Sequence, residues 1–183
     1  MHNYIDRVTN ALSTVNIADL NNVLDELTQA IKRDRMIFIA GNGGSAAISS
    51  HFATDLLKVG YKNNLSIRAL SLCDNNSLVT ATSNDFGYEH SYSWQLSQLA
   101  RDSDILITIS SSGNSENVLN ALKYAKSNNL RSISISGFSG GKSVDISDLN
   151  IVTRSQLNDY GPVEDAHSIL CHYIAENIHN YFK

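Results

Sequence analysis

The sequence predicts an α/β fold: a doubly wound, five-stranded parallel sheet flanked by helices on both faces, with an N-terminal helical segment. Two observations carry this. Five short apolar runs alternate with stretches of helical periodicity, and such runs read as strands buried on both faces. Glycine- and serine-rich turns close two of those runs, at the carboxyl strand ends where ligands sit in such folds.

In chain order, Ile5, Val8, Leu12 and Val15, then Leu20, Leu24, Leu27 and Ile31, recur at three- and four-residue steps. That spacing predicts helix over the first thirty-odd residues, divided near Asn16 to Asp19. The run MIFIA (36–40) predicts a strand, and residues 45–59 a helix. SIRALSL (66–72) reads as strand, 74–83 as helix, and 89–100 as a Trp-containing helix. Strands at 104–110, 131–137 and 148–154 follow, with a helix at 115–129 between the first two. The last segment, 162–182, predicts a long helix with Pro162 in its first turn, where a missing N–H costs nothing.

The 183 residues, 42% of them apolar, suffice for one domain with a proper core. We divide it into N-terminal helices (1–34), an α/β core (35–160) and a C-terminal helix (161–183). A single proline leaves little room for linkers. The net charge of −4 argues against a general nucleic-acid binder. No apolar run spans a membrane, and MHNYIDRVTN carries no apolar signal core. Cys73 and Cys171 lack CxxC spacing and read as reduced thiols of a cytoplasmic protein.

Four motifs carry chemistry. Gly41-Asn42-Gly43-Gly44-Ser45 follows a strand and opens a helix. It is either an anion-binding turn, with free N–H groups at a helix N-terminus, or a tight turn capped by Ser45. Ser110-Ser111-Ser112-Gly113-Asn114-Ser115 follows another strand. Four hydroxyls at a helix start exceed what an N-cap needs, and phosphate-ester recognition without Lys or Arg would use them. His51 and Asp55 stand one helical turn apart, a spacing open to a surface ion pair, a metal pair or an acid–base pair. Glu164, Asp165, His167 and His172 lie on the last helix. Glu164 and His172 are eight residues apart, ~12 Å of rise, and share one ligand only if the helix bends beside Pro162.

The motifs GNGGSAA-x3-HFA (41–53), SNDFGYE (83–89), ISSSGNSENV (109–118), SGFSGGK (136–142) and VEDAH-x4-H (163–172) occur in that order. Over essentially its whole length the chain resembles bacterial SIS-domain proteins of the phosphoheptose isomerase group. The resemblance implies a five-stranded parallel sandwich and a homotetramer with active sites between subunits. It implies isomerisation of sedoheptulose 7-phosphate to an aldoheptose 7-phosphate, an early step towards activated heptose for surface polysaccharides. It places phosphate contacts at Ser110, Ser112 and Ser115, with Ser111, Gly43 and Gly44 in the same turns. Asn42, Ser45 and Asp85 would contact the sugar or shape its loop. A zinc site would use His51, Asp55, Glu164 and His172, with a carboxylate as base and His172 as the opposing acid or base.

The chain departs from that pattern at three points. Asp55 stands for the family Glu, and Glu164 for the family Gln. An Asp-Arg pair that usually precedes the Gln is missing where Gly161 and Pro162 stand. Two carboxylates then favour a divalent cation, or one of them stays protonated. Base duty is shared, or moves from Asp55 to Glu164. Two other classes compete: a non-catalytic relative that binds the replication initiator, and a phosphosugar-sensing module. An acid at 55 and a histidine at 172 favour the enzyme.

Overall fold

The computed structural model describes residues 1–183. Two N-terminal helices, α1 (His2–Ser13) and α2 (Ile17–Lys32), are divided by Asn16, whose side chain accepts from the amides of Ala18 and Asp19. That cap satisfies two of the otherwise orphaned donors at a helix start. The remaining order is β1 (Met36–Gly41), α3 (Gly44–Lys62), β2 (Arg68–Ser71), α4 (Asn76–Phe86), a 3-10 turn (Tyr88–His90) and α5 (Ser91–Leu99). Then come β3 (Ile105–Ser110), α6 (Glu116–Ser127), β4 (Arg131–Phe138), α7 (Ser143–Ile146), β5 (Leu149–Arg154) and α8 (Tyr160–Phe182).

All five strands pair in parallel, in the order β2-β1-β3-β4-β5. The winding reverses between β1 and β3, so both motif turns end strands beside the crevice that such a reversal opens. Strand alternation divides the core. Ile37, Ile39, Ile105, Ile107, Ile109, Ile133, Ile135 and Ile151 face α2, α3 and α8, where Leu27, Phe52, Leu56 and Ile174 complete a 23-residue cluster. Phe38, Ala40 and Leu106 face α5 and α6, where Leu96, Val118 and Leu122 belong to an 11-residue cluster. Apolar burial on both faces is the main stabilising term of such a sheet.

The short α7 and the 3-10 turn have no counterpart in the sequence expectations. The cause of α7 is visible in β4, where Ser132, Ser134 and Ser136 alternate with isoleucines and are buried. Buried hydroxyls need partners. Ser143 of α7 accepts from Ser134 and donates to the Gly140 carbonyl, while Ser132 donates to Asp148. β2 is shorter than its apolar run, and α8 begins two residues before Pro162. Gly161 lies close against α1; a Cβ there would lie 2.9 Å from the Tyr4 hydroxyl. That hydroxyl donates to Asp165, and Arg7 pairs with Asp159, so α1 is clasped to the start of α8.

His167 of α8 is fully buried, 3.0 Å from the Thr153 hydroxyl. Because Thr153 donates to the Ser136 carbonyl, it is left to accept from the Nε2–H. Burial lowers the imidazole pKa from 6.5 to about 4, opposed by the Ser136 backbone. Between those values the unfolded chain binds a proton that the folded chain refuses. Stability therefore falls as pH drops through that window, by about 2 kcal/mol between pH 7 and pH 5. Urea unfolding at the two pH values measures it. The loss on acidification should be smaller by that amount in His167→Gln; an equal loss in both proteins would refute the assignment.

Candidate active site

The first half of the site is a cradle at the carboxyl ends of β1 and β3. Asn42, Ser45, Ser110, Ser111, Ser112, Ser115, Tyr160 and Glu164 line a pocket of ≈ 160 Å³ with no Lys or Arg in its wall. Gly113, at φ +62°, turns the chain after the serines. The Ser110 hydroxyl accepts from the Gly113 amide and the Ser112 hydroxyl from the Asn114 amide. Each therefore has its own proton left to donate. Ser115 is the N-cap of α6, yet its side chain makes no capping bond. The Ser111 oxygen is buried and unpartnered. Spare O–H donors converging at a helix N-terminus suit a phosphate, and a tight turn alone needs none of them.

Asn42 ties this cradle to the neighbouring turn. Its side-chain amide and that of Asn117 exchange two hydrogen bonds of 2.9 Å. Its Oδ1 also accepts from Tyr88 at 2.7 Å and Tyr92 at 3.2 Å. Burial and the adjacent Cys73 push the Tyr92 phenol well above its ordinary pKa, so it stays a donor. Asn42 thus has only one N–H left for a ligand; most of its bonding capacity holds the two turns in register. Asn117, Tyr88, Tyr92 and Tyr160 are not among the residues the sequence singles out. The available signal is Asn117, a buried polar residue one turn before Ala121, on the face of α6 that packs into the smaller core cluster.

The second half lies further along α3 and α8. Asp55 Oδ2 is 3.5 Å from His51 Nε2 and 3.5 Å from His172 Nε2. One donor atom from each residue falls within 4.8 Å of the others. Asp55 is about one-fifth exposed, and both imidazoles are open on one side. The 3.5 Å separations match the edge of a tetrahedron with 2.0–2.1 Å bonds, roughly 3.4 Å. Two imidazoles and a carboxylate with an open side are a donor set for a catalytic divalent metal. Both contacts use Oδ2, which leaves Asp55 Oδ1 free. Buried Cys171 lies next to the cluster, but burial and the Asp55 charge raise its pKa, so it stays a neutral thiol.

Glu164 is not among these gathered atoms. α8 is uninterrupted helix from Tyr160 to Phe182, so Glu164 stays two turns from His172. Its carboxylate instead covers Gly44, where a Cβ would lie 2.3 Å from Oε2. Gly43, at φ +54°, has open space around it. Asp85 is exposed on α4, accepts from Asn84, and belongs neither to the cradle wall nor to the His-Asp-His cluster. No helix is long and apolar enough to cross a membrane.

The family model described as "SIS domain" matches residues 3–137. Phosphoheptose isomerase of Aliarcobacter butzleri is 37% identical over 152 residues, covering 83% of this chain and 79% of that protein. The probable phosphoheptose isomerase of Thermoplasma acidophilum is 31% identical over 179 residues, covering 98% and 97%. The solved phosphoheptose isomerase of Neisseria gonorrhoeae superposes with a TM-score of 0.86 at 29% identity, over 97% of this chain and 93% of that one. With the five-stranded sheet, the serine cradle and these relatives together, the chain belongs to the SIS-domain phosphoheptose isomerase family and is a phosphosugar isomerase.

Proposed function

We propose that the protein converts sedoheptulose 7-phosphate to D-glycero-D-manno-heptose 7-phosphate in the cytoplasm, through an enediol, early in the supply of heptose for surface polysaccharides. One observation carries the reading: a carboxylate held between two imidazoles stands on α3 and α8, the two helices whose first turns, at Ser45, Tyr160 and Glu164, wall a hydroxyl-rich anion cradle. Ser110, Ser111, Ser112 and Ser115 grip the phosphate and so fix the sugar chain, a proximity contribution. Gly43 and Gly44 present the helix N-terminus beside it, and Asn42 and Ser45 meet the sugar. Asp55, through its free Oδ1, removes the carbon-bound proton. His172 exchanges the proton on the neighbouring oxygen. His51, Asp55 and His172 would hold a zinc ion, which would supply electrophilic stabilisation of the developing oxyanion.

The two halves belong to one site only across a subunit boundary. From Ser45 to Asp55 is ten residues of α3, roughly 15 Å of rise, a long span for one sugar phosphate. The cradle alone holds little more than a phosphate. A homotetramer that sets the cradle of one copy against the His-Asp-His cluster of another removes the difficulty. Glu164 on the cradle rim then approaches the second copy's cluster as a fourth ligand or second base, and Asp85 approaches from a neighbouring copy. A metal there also offsets the unfavourable pairing of the Glu164 charge with a phosphate. Exposed Leu57 and Tyr61 on α3 and Ile169 and Tyr173 on α8 supply apolar surface for that contact.

A panel of ketose phosphates, assayed for aldose products with and without a chelator, tests the reading. Sedoheptulose 7-phosphate should turn over, with turnover falling at least tenfold after chelation and returning on added zinc. Turnover of another ketose phosphate alone would overturn the substrate, and full activity in chelator would overturn the metal.

A further inference from the structure

At the pole of the sheet opposite the serine cradle, a cleft of ≈ 400 Å³ opens below the amino ends of β1, β3 and β4. Arg33, Arg35, Lys126 and Arg131 line it, against Glu26 and Asp148. An excess of cations here stands out in a chain of net charge −4. Arg131 satisfies both carboxylates, reaching Glu26 at 3.2 Å and Asp148 at 3.3 Å. Arg33, Arg35 and Lys126 make no ion pair.

Helix ends explain part of this set. Arg33 is the C-cap of α2 and Lys126 lies in the last turn of α6, and each answers the partial negative charge of a helix C-terminus. Arg35 belongs to neither helix. It is half-buried just before β1, with Nη1 donating to the Asp102 carbonyl at 3.2 Å and Nε buried without a partner. A guanidinium ordered in advance, flanked by two unpaired cations, is built for an oxyanion, because little side-chain freedom remains to be lost on binding. The cleft exceeds a bare phosphate and falls in the size range of small-molecule sites. On its wall Glu26 bonds Arg131 through Oε2 alone and so offers an acceptor for a hydroxyl group, whereas both Asp148 oxygens are engaged by Arg131 and Ser132.

We propose that this cleft is a second anion site, for a small hydroxyl-bearing phosphomonoester, separate from the cradle at the other pole. Arg35 and Lys126 take the phosphate from two sides, and Arg33 closes over it. Glu26, held by Arg131, takes a hydroxyl of the organic part. The site stands independently of the isomerase reading, since it shares no residue with either half of the active site.

Calorimetry on the full chain tests it, with AMP and inorganic phosphate as probes. AMP carries a monoester and hydroxyls but no free carbonyl to isomerise. Four proteins are compared: wild type, a cradle variant (Ser110→Ala with Ser112→Ala), a cleft variant (Arg33→Gln with Lys126→Gln), and Arg35→Lys. AMP binding should persist in the cradle variant and weaken at least tenfold in the cleft variant, which should turn over substrate like wild type and melt only slightly lower, two helix-end cations being lost. Arg35→Lys should weaken AMP severalfold while keeping the charge. AMP should bind more tightly than inorganic phosphate; equal affinity would overturn the organic part of the proposal. Loss of all AMP binding in the cradle variant, or unchanged binding in the cleft variant, would overturn the site.

Discussion

Replacing Asp55 with Asn should lower kcat for ketose-to-aldose conversion by about 10²–10⁴-fold, the range for loss of a general base. The amide keeps the shape of the side chain but cannot take up a proton. Its Oδ2 counterpart sits 3.5 Å from two imidazoles, so the substitution also removes the anion they share. Two losses are therefore combined, and measuring bound zinc alongside kcat separates them. An Asp55→Asn protein that still binds zinc but turns over slowly isolates the base. Mixed assemblies test the proposed homotetramer. Asp55→Asn chains assembled with Ser110→Ala/Ser112→Ala chains should recover activity, because some sites then pair an intact cradle with an intact cluster. A drop in kcat below threefold would refute Asp55 as base, and a lack of recovery would refute the shared site.

Gly113→Ala should be the most damaging small substitution in the chain. Its φ of +62° already disfavours a side chain by roughly 1–2 kcal/mol. A Cβ would also lie 1.9 Å from the Gly140 carbonyl oxygen and 2.8 Å from the Ser143 hydroxyl. The first of these is backbone that cannot swing away. The neighbouring loop is locked in turn, since Ser143 N donates to the Gly113 carbonyl and a Cβ on Gly141 would lie 2.3 Å from the Ser112 carbonyl. The serine turn and the 137–143 loop must therefore separate. We expect a loss above about 3 kcal/mol in urea unfolding, within the strained-backbone class of severe mutations. Gly43→Ala is the control. It has a similar φ of +54° but nothing within 4 Å, so it should cost only about 1–2 kcal/mol. Equal losses at the two positions would show that the crowding at Gly113 does not matter.

β1 and β3 were legible because parallel strands buried on both faces need short, mostly apolar runs, as in MIFIA and DILITIS, and β4 because its serines alternate with isoleucines. The division of α1 from α2 was legible because Asn16 is a strong N-cap. The four-residue α7 was not, since it forms to cover the serine face of β4, a demand that exists only once the sheet is built. At the site, helical spacing joined His51 to Asp55. The eight-residue gap between Glu164 and His172 warned that one chain keeps them apart, and the uninterrupted α8 does so. The approach of His172 to Asp55 needed the packing of α8 on α3, which no local pattern encodes. The Asn42–Asn117 clasp likewise joins turns 75 residues apart in sequence.

The central claim is proton transfer through an enediol. Its most direct test is conversion of sedoheptulose 7-phosphate in deuterated water, with the position of the label in the aldose read by NMR. Carriage of the proton by protein groups that exchange with solvent predicts deuterium at C2 of the aldose, formed only when enzyme is present. An aldose product with no deuterium at C2, its hydrogen moved directly from C1, would contradict it.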